Sequence, residues 1–228
     1  MTDIVRHKQW AKRSCMRSTA YTAQKLTITE ISLAMLFAET ETTELAPGAM
    51  LLRGAVGGDD VGLLAEIPRL AGVSPFRRVF TPSGKPMSVE ITSCGAVGWS
   101  SDRRGYRYEP KDPVTGDTWP EMPALFRELA SRAAARAGYA NYVPDTCLIN
   151  KYSVGSKMGM HQDRDEQDFS QPIVSVSLGL PITFRIGGAT RSGKTAKVQL
   201  VHGDVVVFGG PARLAFHGVA RFARASTR

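Results

Sequence analysis

Apolar positions recur along the chain in two different periods, and the boundary between them falls near Pro144. Beyond it, short alternating or fully apolar runs predict strands at 146–152 (TCLINKY), 173–180 (IVSVSLGL), 182–186 (ITFRI), 197–201 (KVQLV), 205–208 (VVVF) and 213–217 (RLAFH). Turn residues punctuate these runs at Gly179 to Pro181, Gly187-Gly188, His202 to Asp204 and Gly209 to Pro211. In the run 173–180, Val174, Val176, Leu178 and Leu180 share one face. Ser175, Ser177 and Gly179 share the other, a small polar face suited to lining a pocket.

Before Pro144 the helical period takes over. Asp59 or Asp60 can cap a helix carrying Leu63, Leu64, Ile67 and Leu70, against which Pro68 argues. Residues 121–137 form the strongest helix, with Pro123 in the first turn, a face of Leu125, Phe126, Leu129 and Ala133, and Gly138 as the stop. A short strand is expected at 49–53 (AMLLR). Many short strands with two helices predict a mostly β fold with flanking helices (α+β), built as a jelly-roll or barrel.

Composition narrows this picture. A chain of 228 residues, 43% of them hydrophobic, can bury one sizeable core, and its 22 Gly and 13 Pro suit a turn-rich β domain. A formal net charge of +8 favours polyanionic partners, because each Lys or Arg near a phosphate releases condensed counterions. Cys15, Cys94 and Cys147 are odd in number and form no CxxC pattern, so neither a disulfide framework nor a zinc finger is indicated, and a cytoplasmic setting is expected. The longest N-terminal apolar stretch, 31–38 (ISLAMLFA), is too short to span a bilayer. Residues 1–34 carry six Lys/Arg against Asp3 and Glu30 and lack sustained periodicity. They are expected to be a disordered basic arm, a transit-like leader or a mis-started frame, with Met35 as the true start. The domain division is therefore a basic extension at 1–44 and a folded domain at 45–228.

Only His7, His161, His202 and His217 can offer imidazole ligands. His161-Gln-Asp163 is an H-x-D step, expected at a strand end or bulge where both side chains converge on one ion. A third ligand from a distant strand would complete two imidazoles and one carboxylate, a set that suits Fe(II) and leaves coordination positions open. His202 and His217 compete for that third place. His202 reads as a turn residue before Gly203-Asp204, and His217, at the end of a predicted strand, is favoured.

The stretches 148–152 (LINKY), 160–166 (MHQDRDE), 173–181 (IVSVSLGLP), 202–210 (HGDVVVFGG) and 213–218 (RLAFHG) resemble the AlkB family, bacterial iron- and 2-oxoglutarate-dependent dioxygenases that repair alkylated bases. The similarity extends to 81–99, with MSVEITSCGAVGW, and to 105–110 (GYRYEP), so it spans about residues 45–218. The resemblance implies a double-stranded β-helix core, with His161, Asp163 and His217 as iron ligands and His202 as a turn residue. It further implies Asn150, Lys151 and Tyr152 beside 2-oxoglutarate, with Trp99, Tyr106, Arg107, Tyr108, Asp165 and Arg191 around the nucleotide in a lid at about 75–115. The implied reaction hydroxylates the methyl group on a ring nitrogen of 1-methyladenine or 3-methylcytosine in DNA or RNA. 2-Oxoglutarate is oxidised to succinate and carbon dioxide, and the hydroxymethyl product loses formaldehyde. A monomer that binds nucleic acid and no membrane follows from the same likeness.

Part of this can be argued from residues alone. The stretch 99–108 (WSSDRRGYRY) interleaves three aromatic with three basic residues, so rings can stack on bases while arginines follow phosphates. A carboxylate at Asp165 can favour a cationic methylated base, or it can support a metal ligand as a hydrogen-bond acceptor. Arg185, Arg191, Lys194 and Lys197 are expected to edge the mouth. The sequence also departs from the family. Phe208 stands where a Trp is usual, and Lys85 replaces an aromatic of the lid. The chain stops at Arg228 without the arginine–asparagine–arginine strand that grips 2-oxoglutarate, and Arg221, Arg224 and Arg228 do not match that spacing. A jelly-roll missing its C-terminal strand is thus expected, from a truncated or shifted reading frame, with exposed core edges. Loss of a buried bidentate arginine costs on the order of 2–5 kcal/mol, so a catalytically impaired nucleic-acid-binding protein is the alternative reading.

Overall fold

The computed structural model describes residues 41–222 and the backbone of Thr2–Arg6. The strands are Thr2–Arg6 (β1), Thr42–Ala46 (β2), Ala49–Leu52 (β3), Glu90–Gly95 (β4), Gly98–Asp102 (β5), Gly105–Glu109 (β6) and Thr146–Lys151 (β7). They continue with Met158–His161 (β8), Ile173–Ser177 (β9), Ile182–Ile186 (β10), Ala196–Leu200 (β11), Val205–Phe208 (β12) and His217–Val219 (β13). Among the described residues two α-helices, Asp60–Val73 (α1) and Ala124–Arg136 (α2), accompany these strands.

A seven-stranded sheet in the order β2-β3-β12-β9-β1-β7-β4 faces a four-stranded sheet ordered β11-β10-β13-β8, and β5-β6 form a separate hairpin. Alternation along the strands sorts side chains between the two faces of the larger sheet. Cys147, Ile149, Val174, Val176, Val205 and Val207 face the helices and pack with Leu63, Ile67, Leu70, Phe126 and Leu129. Leu148, Ile173, Val206 and Phe208 face the smaller sheet and pack with Ile182, Phe184, Ile186 and Leu200. This is a jelly-roll sandwich with helices on one outer face. Cys94 and Cys147 are register partners across β4 and β7, both buried and both free thiols.

Pro68 does not stop α1. It lies on the exposed side, and Leu63, Ile67 and Leu70, all fully buried, straddle it. Burial of each such side chain contributes about 1.5–3 kcal/mol, which together exceeds the ~3 kcal/mol cost of an interior proline.

Two expectations are corrected. The predicted strand at 213–217 does not form. Gly210–Ala212 is a 3-10 turn, and the N–H groups of Ala212, Arg213 and Ala215 donate to Gly209, Gly210 and Ala212, so the segment winds before His217 opens β13. Its apolar–polar alternation mimics a strand, but Gly209-Gly210-Pro211 starts a helical turn instead. Nor do β7 and β9 present an open edge, because β1 lies between them and pairs in parallel with both. The N-terminal extension, expected to stay outside the fold, thus supplies Thr2–Arg6 to the sheet, and β2 begins inside its predicted limit of residue 44. His7, Cys15, residues 31–38, Met35, Arg224 and Arg228 lie outside the described residues.

Asp112 anchors the lid to the end of α1. Its carboxylate accepts two hydrogen bonds from Arg77, at 2.8 and 2.7 Å, and others from the Ser74 hydroxyl and the Val114 N–H. Burial works to raise its pKa, but these donors outweigh burial and hold the carboxyl below its ordinary range. A depressed folded-state pKa stabilises the fold at pH values above the unfolded carboxylate's pKa of about 4, and that contribution disappears as pH falls through the folded value. Asp112→Ala is expected to cost about 3 kcal/mol at pH 7. Denaturant melts should show that deficit shrinking in acid, as the wild-type carboxylate protonates.

Candidate active site

β8 ends on His161, and Asp163 follows two residues later, as the H-x-D step requires. β13 opens on His217, the register partner of His161. The approach of these strands depends on Gly218, where a Cβ would lie 2.7 Å from the Met158 carbonyl oxygen and 2.8 Å from that of Gly159. The two imidazole rings stand 4.3 Å apart by centroid.

Each ring is oriented by its own backbone. His161 Nδ1 lies 2.9 Å from the Gly159 carbonyl, and His217 Nδ1 lies 3.1 Å from that of Ala215. A carbonyl only accepts, so each Nδ1 carries the proton and each Nε2 presents a lone pair. Those Nε2 atoms lie 3.4 and 3.5 Å from opposite oxygens of Asp163. Asp163 Oδ2 and His217 Nε2 are buried without a hydrogen-bond partner. Burial alone would raise the Asp163 pKa. A proton on the facing Nε2 of His217 or His161 outweighs burial by charge and hydrogen bonding and holds the carboxyl far below its ordinary range, whereas the Nδ1-protonated rings leave those lone pairs for a metal. Ligand atoms from all three residues fall within 4.8 Å of one another. Buried lone pairs aimed at one point, with no donor between them, fit a divalent cation, and mixed imidazole and carboxylate suit Fe(II).

The triad opens into a cavity of about 670 Å³, within the range of small-molecule sites. Asn150 and Tyr152 line it, with Ser175 and Ser177 from the polar face of β9. Toward the mouth stand Trp99, Tyr106, Asp165 and Arg191. The Trp99 and Tyr106 rings are stacked, 5.5 Å between centroids and 18° between planes. Trp99 Nε1 donates to Asp165 Oδ2 at 3.2 Å. Arg191 donates to the Met160 carbonyl and lies over the Phe216 ring.

Three expected site residues stand elsewhere. Lys151 follows Asn150 on β7 and therefore faces the opposite side, where its ammonium pairs with Glu90 at 2.7 Å and covers the Phe76 ring. Arg107 points away from the Trp99 face and braces the hairpin through Asp102 and Glu109; the two carboxylates hold its pKa above the ordinary arginine value. Tyr108 does not line the cavity, and its hydroxyl donates to Glu166 at 3.1 Å. Of the four cations expected at the mouth, Arg191 lines the cavity, whereas Arg185, Lys194 and Lys197 do not, Arg185 and Lys197 being paired positions across β10 and β11. His202 lies outside the triad: its Nδ1 accepts from the Gly179 N–H, and its Nε2 meets Asp60. Sequence reasoning missed Lys157, a cavity-lining cation, and Arg213, whose burial no local pattern discloses.

A jelly-roll carrying a His-Asp-His triad at one end of its smaller sheet defines a class, the non-haem iron oxygenases. The family model described as the 2OG-Fe(II) oxygenase superfamily matches residues 49–228. The chain is 49% identical to the alpha-ketoglutarate-dependent dioxygenase AlkB of Salmonella typhimurium over 175 residues, 77% of this chain and 81% of that protein. It is 48% identical to the AlkB of Escherichia coli over 186 residues, 81% and 86% of the two chains. The solved structure of OsALKBH1 superposes with a TM-score of 0.69 at 31% identity, covering 79% of this chain and 88% of that one. The chain belongs to the AlkB family within the 2OG-Fe(II) oxygenase superfamily.

Proposed function

We propose that this protein oxidatively demethylates alkylated bases, 1-methyladenine and 3-methylcytosine, in DNA and also in RNA, using Fe(II), dioxygen and 2-oxoglutarate. The observation that carries this reading is one cavity holding both the triad and a base-sized aromatic platform flanked by a carboxylate. Bound iron would supply the activation of dioxygen, coupled to oxidation of 2-oxoglutarate to succinate and carbon dioxide.

The chain's own residues do the rest. Trp99 and Tyr106 offer π-faces to a base that has left its stack, a step made easier where methylation has already weakened pairing. Asp165, tethered by Trp99, favours the cationic methylated base over its neutral parent. Asn150 and Tyr152, on the pocket side of β7 and just beyond it, are assigned to the cosubstrate. Net charge of +8 favours the phosphate backbone. No helix among the described residues is long and apolar enough to cross a membrane. The reading keeps the protein off the membrane, as a monomer in the cytoplasm.

Trp99→Ala is expected to weaken binding of a methylated oligonucleotide about 5- to 150-fold, since base stacking contributes about 1–3 kcal/mol; fluorescence anisotropy without turnover measures it. The function itself is tested by incubating the protein with Fe(II), 2-oxoglutarate and a 1-methyladenine oligonucleotide. Formaldehyde and restored adenine in equal amounts are expected. Neither product from folded, iron-loaded protein would refute the reading.

A further inference from the structure

Arg213 is an arginine only 4% exposed, and its side chain does not line the cavity. A buried guanidinium is retained only where its donors are satisfied and its charge is met. Here every partner comes from the single loop that joins β8 to β9. Nε donates to the Gln171 carbonyl at 2.9 Å, and Nη1 donates to the Asp163 carbonyl at 3.1 Å. Nη2 lies 3.4 Å from Glu166 Oε2, and the guanidinium covers the Phe169 ring at 5.2 Å. The loop carrying Asp163 and Asp165 is thus wrapped around one side chain. Beside it, the Gln162 amide donates to the Leu214 carbonyl, so the two ligand-bearing segments are tied twice.

The network does not end in that loop. The other oxygen of Glu166 accepts from the Tyr108 hydroxyl, on β6 of the hairpin that also carries Trp99 and Tyr106. A path of direct contacts therefore runs from the aromatic hairpin through Tyr108, Glu166 and Arg213 to the backbone of Asp163. We propose that Arg213 is a positioning residue that couples the base-stacking hairpin to the carboxylate of the metal triad, so that hairpin position and metal-ligand geometry are set together. The proposal rests on the function assigned above. It adds that the supports of ligand and substrate are one physical unit.

Arg213→Lys keeps the charge but cannot reach Gln171, Asp163 and Glu166 together. Tyr108→Phe removes only the outermost bond, far in the chain from every ligand. Affinity for Co(II), read from its visible absorption without turnover, should fall about 10–100-fold in Arg213→Lys, the range for partners of metal ligands. It should also fall severalfold in Tyr108→Phe, which a purely structural arginine would not predict. In the double variant the two losses should not add, because both cut one path. Unchanged Co(II) affinity in Tyr108→Phe, or additive losses in the double variant, would overturn the proposal. If Arg213→Lys does not fold, Tyr108→Phe decides alone. Demethylation by the wild-type preparation reports separately on the functional reading.

Discussion

Asp163→Ala is expected to leave a folded protein that binds iron more than ~100-fold more weakly and shows no detectable demethylation. Partners one step removed from a ligand already contribute about 10–100-fold to metal affinity, and Asp163 is the one anionic member of the triad. Its removal also takes away the charge that faces both imidazoles, at 3.4 and 3.5 Å. The fold should tolerate the change. In the metal-free protein Asp163 Oδ2 is buried with no hydrogen-bond partner, so the desolvation that alanine relieves offsets the attraction to the imidazoles that it removes. Thermal melts of the metal-free variant should therefore lie close to wild type, while iron titration and product analysis show the loss. A variant that retained turnover would mean that the iron is held elsewhere.

Phe208→Ala carries the largest expected cost in stability, about 3–5 kcal/mol, the usual price of emptying a buried aromatic site. Phe208 is 1% exposed on β12, between β3 and β9, and its ring lies 4.8 Å from that of His217. Phe184 approaches the same imidazole from the opposing sheet, at 6.2 Å. Truncation at 208 thus opens a void behind a triad residue, and iron affinity should weaken severalfold alongside the fall in Tm. Phe208→Leu, which keeps most of the volume, should recover most of the stability but less of the iron affinity, because a flexible chain no longer backs the ring.

Where local pattern and tertiary packing agree, the chain is legible from its residues. β10 and β12 form over the predicted residues, because an apolar run bounded by turn glycines leaves no alternative register. The polar face of β9 lines the cavity as its alternation implies. The H-x-D step stands at the end of β8. The choice between His202 and His217 was open on spacing and decided by family resemblance, and the register of β13 on β8 places His217 beside His161.

What could not be read depends on partners distant in the chain. Lys151 and Asn150 are adjacent in sequence, yet only the location of the cavity tells which face of β7 is functional. The alternation Arg213-Leu-Ala-Phe-His217 imitates a strand, while Arg213 in fact closes a buried network with residues some fifty positions earlier. The parallel pairing of Thr2–Arg6 with β7 and β9 has no local signature at all.

The central claim is that the triad holds iron in a cavity that also accepts 2-oxoglutarate. Anaerobic calorimetric titration of 2-oxoglutarate into the Fe(II)-loaded protein tests it most directly. Saturable binding at one cosubstrate per chain is predicted, lost in Asp163→Ala. Absence of binding to folded, iron-loaded wild-type protein would contradict it.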